Sequence, residues 1–111
     1  MKIQINNIAD FKGQKIRVSK SSVAEDTFLA LGAIPVSIPV EDITEAAGNG
    51  IIDGGESTYP RYFGLNQNKT CPVINDMKHN IAATSIIVND AFWATIPQHI
   101  QEILQSAAYK S

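Results

Sequence analysis

Short apolar runs alternate with helix-type segments along most of this 111-residue chain. The run at residues 15–18 precedes a helical segment at 23–31, and the run at 34–39 precedes another helical segment at 41–47. A third strand-like run follows at 51–56. Strands that alternate with helices are typical of a layered α/β architecture. We therefore predict an α/β fold, with a mixed sheet flanked by helices.

Local signals set the expected limits of the helices. Ser22 and Glu25 have the S-x-x-E spacing of a capping box, and Gly32 is placed to end that helix in a left-handed conformation. Pro97 suits the first position of the last helix, and residues 84–88 predict another strand before it. The apolar residues of the last helix recur at helical spacing and predict one apolar face; they are Ile100, Ile103, Leu104 and Ala107.

The composition argues against two classes of protein. The chain is 44% hydrophobic and 18% charged, with a formal net charge of -2, so it lacks the basic surface expected of a protein that binds nucleic acid. No apolar run reaches the roughly 20 residues that a membrane-spanning helix needs. The first ten residues show no export signal, so we expect a cytoplasmic protein if this is the complete native product.

No cluster of residues predicts catalysis or a bound metal or cofactor. His79 and His99 lack the spacing of a zinc site and are expected to be solvent-facing or capping residues. Cys71 is the only cysteine and has no nearby candidate base. Asp53 and Glu56 suggest a carboxylate pair, but a turn-stabilising role of Asp53 beside Gly54 is the favoured interpretation. We therefore expect neither an enzyme nor a cofactor.

Arg17 is the strongest candidate for a binding residue. It lies in a predicted strand that ends at a Ser-rich turn, where α/β sheets tend to form a ligand crevice. A guanidinium group matches a carboxylate with two parallel hydrogen bonds. On these residues alone, however, a surface ion pair is the default role.

Four segments in the right order and at nearly gapless spacing resemble the tripartite ATP-independent periplasmic (TRAP) solute-binding proteins. They are residues 9–18, 31–36, 51–56 and 87–93, the last followed by Ile96 and Pro97. The resemblance implies a periplasmic protein with two lobes that captures small organic acids for a membrane transporter. In such a protein the arginine at position 17 forms a salt bridge with the substrate carboxylate, which makes binding the favoured role of Arg17.

The resemblance implies two further ligand-binding positions, Val40 and Ser57. Val40 stands where the family commonly has an aromatic residue, and it offers no aromatic face. Ser57 stands where the family has an asparagine, and its hydroxyl can still donate one hydrogen bond. The ligand contacts of the family are therefore only partly retained.

The resemblance covers only part of the two-lobed fold. Residues 1–82 correspond to the core of one lobe, and residues 83–111 to a strand and a helix that would cross to the other. A helix of the family is replaced by residues 67–74, where Pro72 would interrupt a helix. We expect an incomplete cleft that binds a small carboxylate weakly, and TRAP membrane subunits as partners only if the chain is part of a complete protein.

The second interpretation is a small self-associating protein that keeps the lobe fold without ligand binding or a transport role. Residues 84–88 and the apolar face of the last helix would then pack in a homodimer or a swapped oligomer, because uncovered strand edges pair with other chains. Alternatively, residues 58–74 fold back and shield these surfaces.

Overall fold

A computed structural model describes residues 1–81, 83 and 85–110. The chain divides into two compact units, Met1–His79 and a second unit from Asn80 onward. The first unit contains a parallel sheet with helices beside it, so the predicted α/β class is confirmed. Within the described ranges, no helix is both long enough and apolar enough to cross a membrane.

Three strands form the sheet, and each pairs in parallel. They are β1 (Lys15–Val18), β2 (Ile34–Ser37) and β3 (Gly54–Gly55), in the order β2-β1-β3. Arg17 therefore lies in the central strand, in register with Val36 on one side and Gly55 on the other. The third strand is shorter than predicted. One further hydrogen bond precedes it, in which the Asp53 N–H donates to the Lys15 carbonyl at 2.7 Å.

Five α-helices and three short 3-10 turns are found in the described part of the chain. The α-helices are α1 (Ser22–Ala30), α2 (Ile43–Gly48), α3 (Tyr59–Gly64), α4 (Asp90–Thr95) and α5 (Gln98–Lys110). The 3-10 turns are Ile8–Phe11, Val40–Asp42 and Gln67–Lys69.

The predicted end of α1 is confirmed, but its predicted capping box is wrong. Ser21 is the N-cap and makes no side-chain cap hydrogen bond. Glu25 is therefore the fourth helical residue, one position too late for a capping box. At the other end Gly32 has φ +82°, and the Ala33 N–H donates to the Phe28 carbonyl at 3.0 Å, as in a Schellman motif.

Side chains alternate across β1 and face two different cores. Ile16 and Val18 pack with Phe28 of α1. Val36, the register neighbour of Arg17, packs instead against the cluster of buried residues around α2, which we call the α2 cluster. The α2 cluster consists of Ile43, Ala46, Ala47, Ile52 and Cys71. Arg17 therefore belongs to the α2 face of the sheet.

Residues 67–74 contain no α-helix, as the position of Pro72 predicted. The segment beyond Cys71 packs instead on the N-terminal residues. Met1 and Val73 exchange two backbone hydrogen bonds, of 2.9 and 3.1 Å. The Asn75 carboxamide oxygen accepts from the Ile5 N–H at 2.8 Å.

The prediction of a strand at residues 84–88 is wrong for residues 85–88, which lie in no strand. Thr84 lies outside the described residues. β-propensity alone does not hold a strand, because it depends on a partner strand and on burial. The described residues 85–88 are all exposed. The predicted last helix is confirmed and begins one residue after Pro97, whose carbonyl accepts from the Ile100 N–H at 2.9 Å.

Candidate functional site

The carboxyl ends of the three parallel strands meet at one edge of the sheet, which we call the carboxyl edge. After β1 the chain forms β2 on one side of it, and then crosses over to form β3 on the other side. In open α/β sheets, ligands bind outside the carboxyl ends of the strands at such a reversal of strand order. This rule places the candidate site beside β1 and β3.

Arg17 is fixed in place beside this reversal. Its Nε donates to the Ile38 carbonyl at 2.8 Å. A Cβ on Gly55 would lie 3.0 Å from the Arg17 Cβ, so the absence of a side chain at position 55 makes room for the arginine. Of the three nitrogens of the Arg17 guanidinium, Nε alone donates a hydrogen bond to the described part of the chain. The two terminal nitrogens therefore remain available to a ligand.

The electrostatic environment of Arg17 is unusual for an arginine. The residue is only 7% exposed, and no carboxylate lies within ion-pair distance of it in the described part of the chain. Burial lowers its pKa, while the charges of Glu56 and Glu41 raise the pKa and that of Arg61 lowers it. Arginine nevertheless keeps its charge in proteins. The default expectation of a surface ion pair is therefore wrong for the described residues.

The two other predicted site residues also follow strands at the carboxyl edge. Val40 begins the 3-10 turn after β2, is partly buried and packs against the α2 cluster. Ser57 is exposed two residues after β3, and its hydroxyl donates a long hydrogen bond of 3.5 Å to the Thr58 carbonyl. The topology thus brings all three positions to one edge, while their contacts with a ligand remain predictions.

Glu56 makes contacts that the sequence did not predict. Its Oε1 accepts from the N–H and the hydroxyl of Ser19, at 3.3 and 3.2 Å. Its Oε2 lies 3.5 Å from Nε2 of His79, whose ring meets Phe28 edge-on with centroids 5.6 Å apart. His79 is thus more than a solvent-facing residue. No motif spacing identifies this pair, because it depends on the path of the chain after α3.

Asp53 makes a long-range contact with β1 instead of the turn-stabilising contact that the sequence predicted. Its Oδ2 accepts from the Lys15 N–H at 2.9 Å and so supports the start of β1 from the beginning of β3. Within the residues that the structure covers, no three His, Cys, Asp or Glu side chains are grouped so that they could hold a metal ion.

Known proteins resemble this chain both in sequence and in fold. The family model described as "Bacterial extracellular solute-binding protein, family 7" matches residues 1–111. The C4-dicarboxylate-binding periplasmic protein DctP of Rhodobacter capsulatus is 29% identical over 102 residues, which are 92% of this chain and 31% of the relative. The chain therefore spans about a third of the length of this curated relative.

Two solved structures have the same fold over part of their length. A TRAP periplasmic solute-binding protein of Xanthobacter autotrophicus with bound β-D-galacturonate has a TM-score of 0.60 and 29% identity, covering 62% of this chain and 23% of the other. One from Pseudomonas aeruginosa with bound L-malate has a TM-score of 0.59 and 26% identity, covering 62% and 30%.

Proposed function

Because the chain belongs to the bacterial extracellular solute-binding proteins of family 7, we propose that its carboxyl edge forms part of a binding site for a small organic acid. Arg17 is the proposed carboxylate-binding residue, and Ser57 is a proposed hydrogen-bond donor to the same ligand. Val40 lies at the third proposed contact position, where it offers an aliphatic surface.

The unpaired charge of Arg17 is the observation that carries this proposal. Buried charges in proteins are normally paired, because an unpaired charge loses its hydration without compensation. Arg17 is 7% exposed and is held at Nε, which leaves its terminal N–H groups for a bidentate contact. A carboxylate ligand would complete this pairing.

The ligands of similar proteins support an organic acid. The names of the similar proteins include a C4-dicarboxylate-binding protein and structures with bound galacturonate and L-malate. All of these ligands contain a carboxylate group, whereas the rest of the molecule differs. We therefore propose the carboxylate as the recognised group and no particular acid.

We further propose that the chain acts in transport in the periplasm, alongside TRAP membrane subunits, and has no enzymatic activity. Residues 1–82 would form the core of one lobe and residues 83–111 the part that crosses to the other lobe. The division of the structure into two compact units after His79 supports this assignment. So does the small share of the relatives that the chain covers, 31% for the protein of Rhodobacter capsulatus.

We predict that the chain alone binds small carboxylates weakly. Good small-molecule sites bury about 70–90% of the ligand surface, and the carboxyl edge of one sheet leaves more of it in water. Isothermal titration calorimetry with C4-dicarboxylates, galacturonate, aromatic acids and sialic acid measures this. Dissociation constants in the high micromolar to millimolar range are expected. Uncharged sugars serve as the control, and equal binding of a sugar and its acid would contradict the role of the carboxylate.

Self-association is a second candidate function, supported by the exposed apolar side chains of α5. Ile103 is 61% exposed, and Ile100 and Leu104 are also exposed. Exposed apolar patches mark interaction sites when they are contiguous, and a two-fold dimer is the commonest symmetric assembly. We propose a homodimer, or an oligomer formed by exchange of this element, through the apolar face of α5.

Sedimentation equilibrium tests the dimer. We expect a mass near twice the 12.0 kDa of the chain at tens of micromolar, and a shift toward the single-chain mass in the Ile103→Asp variant. Val23→Asp on α1 is the matched control, because Val23 is also exposed and should leave the mass unchanged. A mass of 12.0 kDa at every concentration would rule out self-association while leaving carboxylate binding open.

A further inference from the structure

Two polar side-chain atoms in the turn after α3 are buried without a hydrogen-bond partner among the described residues. They are Nε2 of Gln67 and Oγ1 of Thr70. Gln67 as a whole is only 3% exposed. A buried polar atom that lost its contact with water on folding destabilises the protein unless another partner replaces the water. Two such atoms three residues apart therefore suggest one shared partner.

Gln67 begins a short turn of the backbone, and Thr70 follows its last residue. Gln67–Lys69 is a 3-10 turn, and the Thr70 N–H donates to the Gln67 carbonyl at 3.2 Å. Side chains three residues apart eclipse each other in this conformation. A Cβ on Gly48 would lie 3.8 Å from Cγ2 of Thr70, so the end of α2 covers the threonine.

The chemistry of the two atoms selects the partner. The Gln67 amide nitrogen only donates hydrogen bonds, so its partner must accept one, and a metal ion is excluded. An anion would have to give up its hydration for one amide and one hydroxyl, which is unfavourable without a balancing charge. Water both accepts and donates, and internal water molecules commonly satisfy buried polar groups.

We propose that one internal water molecule bridges Nε2 of Gln67 and Oγ1 of Thr70. It accepts a hydrogen bond from the amide and forms a second one with the hydroxyl. The turn also holds α3, because the next residue, Cys71, accepts from the Tyr62 hydroxyl at 2.9 Å. The water would therefore help to fix α3, which begins just after the carboxyl edge. This proposal does not depend on the proposed carboxylate site.

Water magnetic relaxation dispersion tests the proposal, because it detects water molecules that stay in a protein much longer than surface water. The wild-type chain should show one such molecule that is lost in both Gln67→Met and Thr70→Val, which nearly keep the shapes of the side chains. Gln105→Met is the matched control, since Gln105 is exposed on α5, and the signal should be unchanged.

A double variant adds a stability readout. Each single substitution leaves the other polar atom buried without its bridge, whereas Gln67→Met with Thr70→Val removes both. The double variant should therefore lose less stability than the sum of the two single losses. A crystal structure with Nε2 of Gln67 bonded directly to protein, or an unchanged water signal in folded Gln67→Met, would overturn the proposal. If that variant does not fold, the signal of Thr70→Val decides.

Discussion

Replacing Arg17 with alanine should weaken the binding of a small carboxylate by about 10- to 100-fold. A hydrogen bond to a charged group contributes about 1.5–3 kcal/mol, and each 1.4 kcal/mol changes affinity about tenfold. Arg17→Lys should give a loss as well, because lysine keeps the charge but lacks the planar fork and the Nε that donates to Ile38. Calorimetric titration measures both effects, with circular dichroism to confirm folding.

Arg61→Ala is the matched control for this experiment. Arg61 is an exposed arginine on α3 whose charge acts on Arg17, so its removal tests the effect of overall positive charge. We expect a much smaller loss of affinity, and one that salt reduces further, because exposed charges are screened. Tight binding that survives Arg17→Ala, or equal losses in the two variants, would show that Arg17 is not the carboxylate-binding residue.

Ile52→Ala should be among the most destabilising substitutions in the chain. Ile52 is fully buried, at 0% exposure, in the α2 cluster just before β3. Truncation of a buried isoleucine to alanine costs about 2–5 kcal/mol, because apolar contacts are lost and a cavity remains. Since small domains have only about 5–15 kcal/mol of stability, the midpoint of urea unfolding should fall sharply.

The adjacent isoleucine provides the control for Ile52. Ile51 is 52% exposed, so Ile51→Ala removes the same atoms from a position that contributes little to the core. Substitutions at exposed positions are usually within about 0.5 kcal/mol of neutral. If both variants unfold at the same urea concentration, the assignment of Ile52 to the core of the α2 face is wrong.

Local sequence signals predicted those parts of the fold that local chemistry determines. The β-branched run of β1 and the left-handed position of Gly32 both act over a few residues, and both were confirmed. The capping box failed because Ser21 and Ser22 both suit an N-cap, and the spacing alone does not choose between them. The strand prediction for residues 85–88 failed because strand propensity does not supply a partner strand.

Of the candidate site, the sequence predicted the position of Arg17 but not its surroundings. The placement of Arg17 near the end of a strand was visible in the sequence, but its burial and its bond to Ile38 depend on how β2 and the residues after it pack. The contact between Glu56 and His79 joins positions far apart in the chain, so the sequence around either residue does not predict it. Tertiary contacts of this kind require the chain path, which propensity and periodicity do not give.

The close approach of Gly55 to Arg17 also constrains how the two positions can change over evolutionary time. With the Arg17 Cβ only 3.0 Å from where a Cβ at position 55 would lie, a side chain there requires one of the two strands to move. Every residue except glycine has a Cβ at position 17, so we expect glycine to be favoured at position 55 whether or not the arginine is kept at position 17.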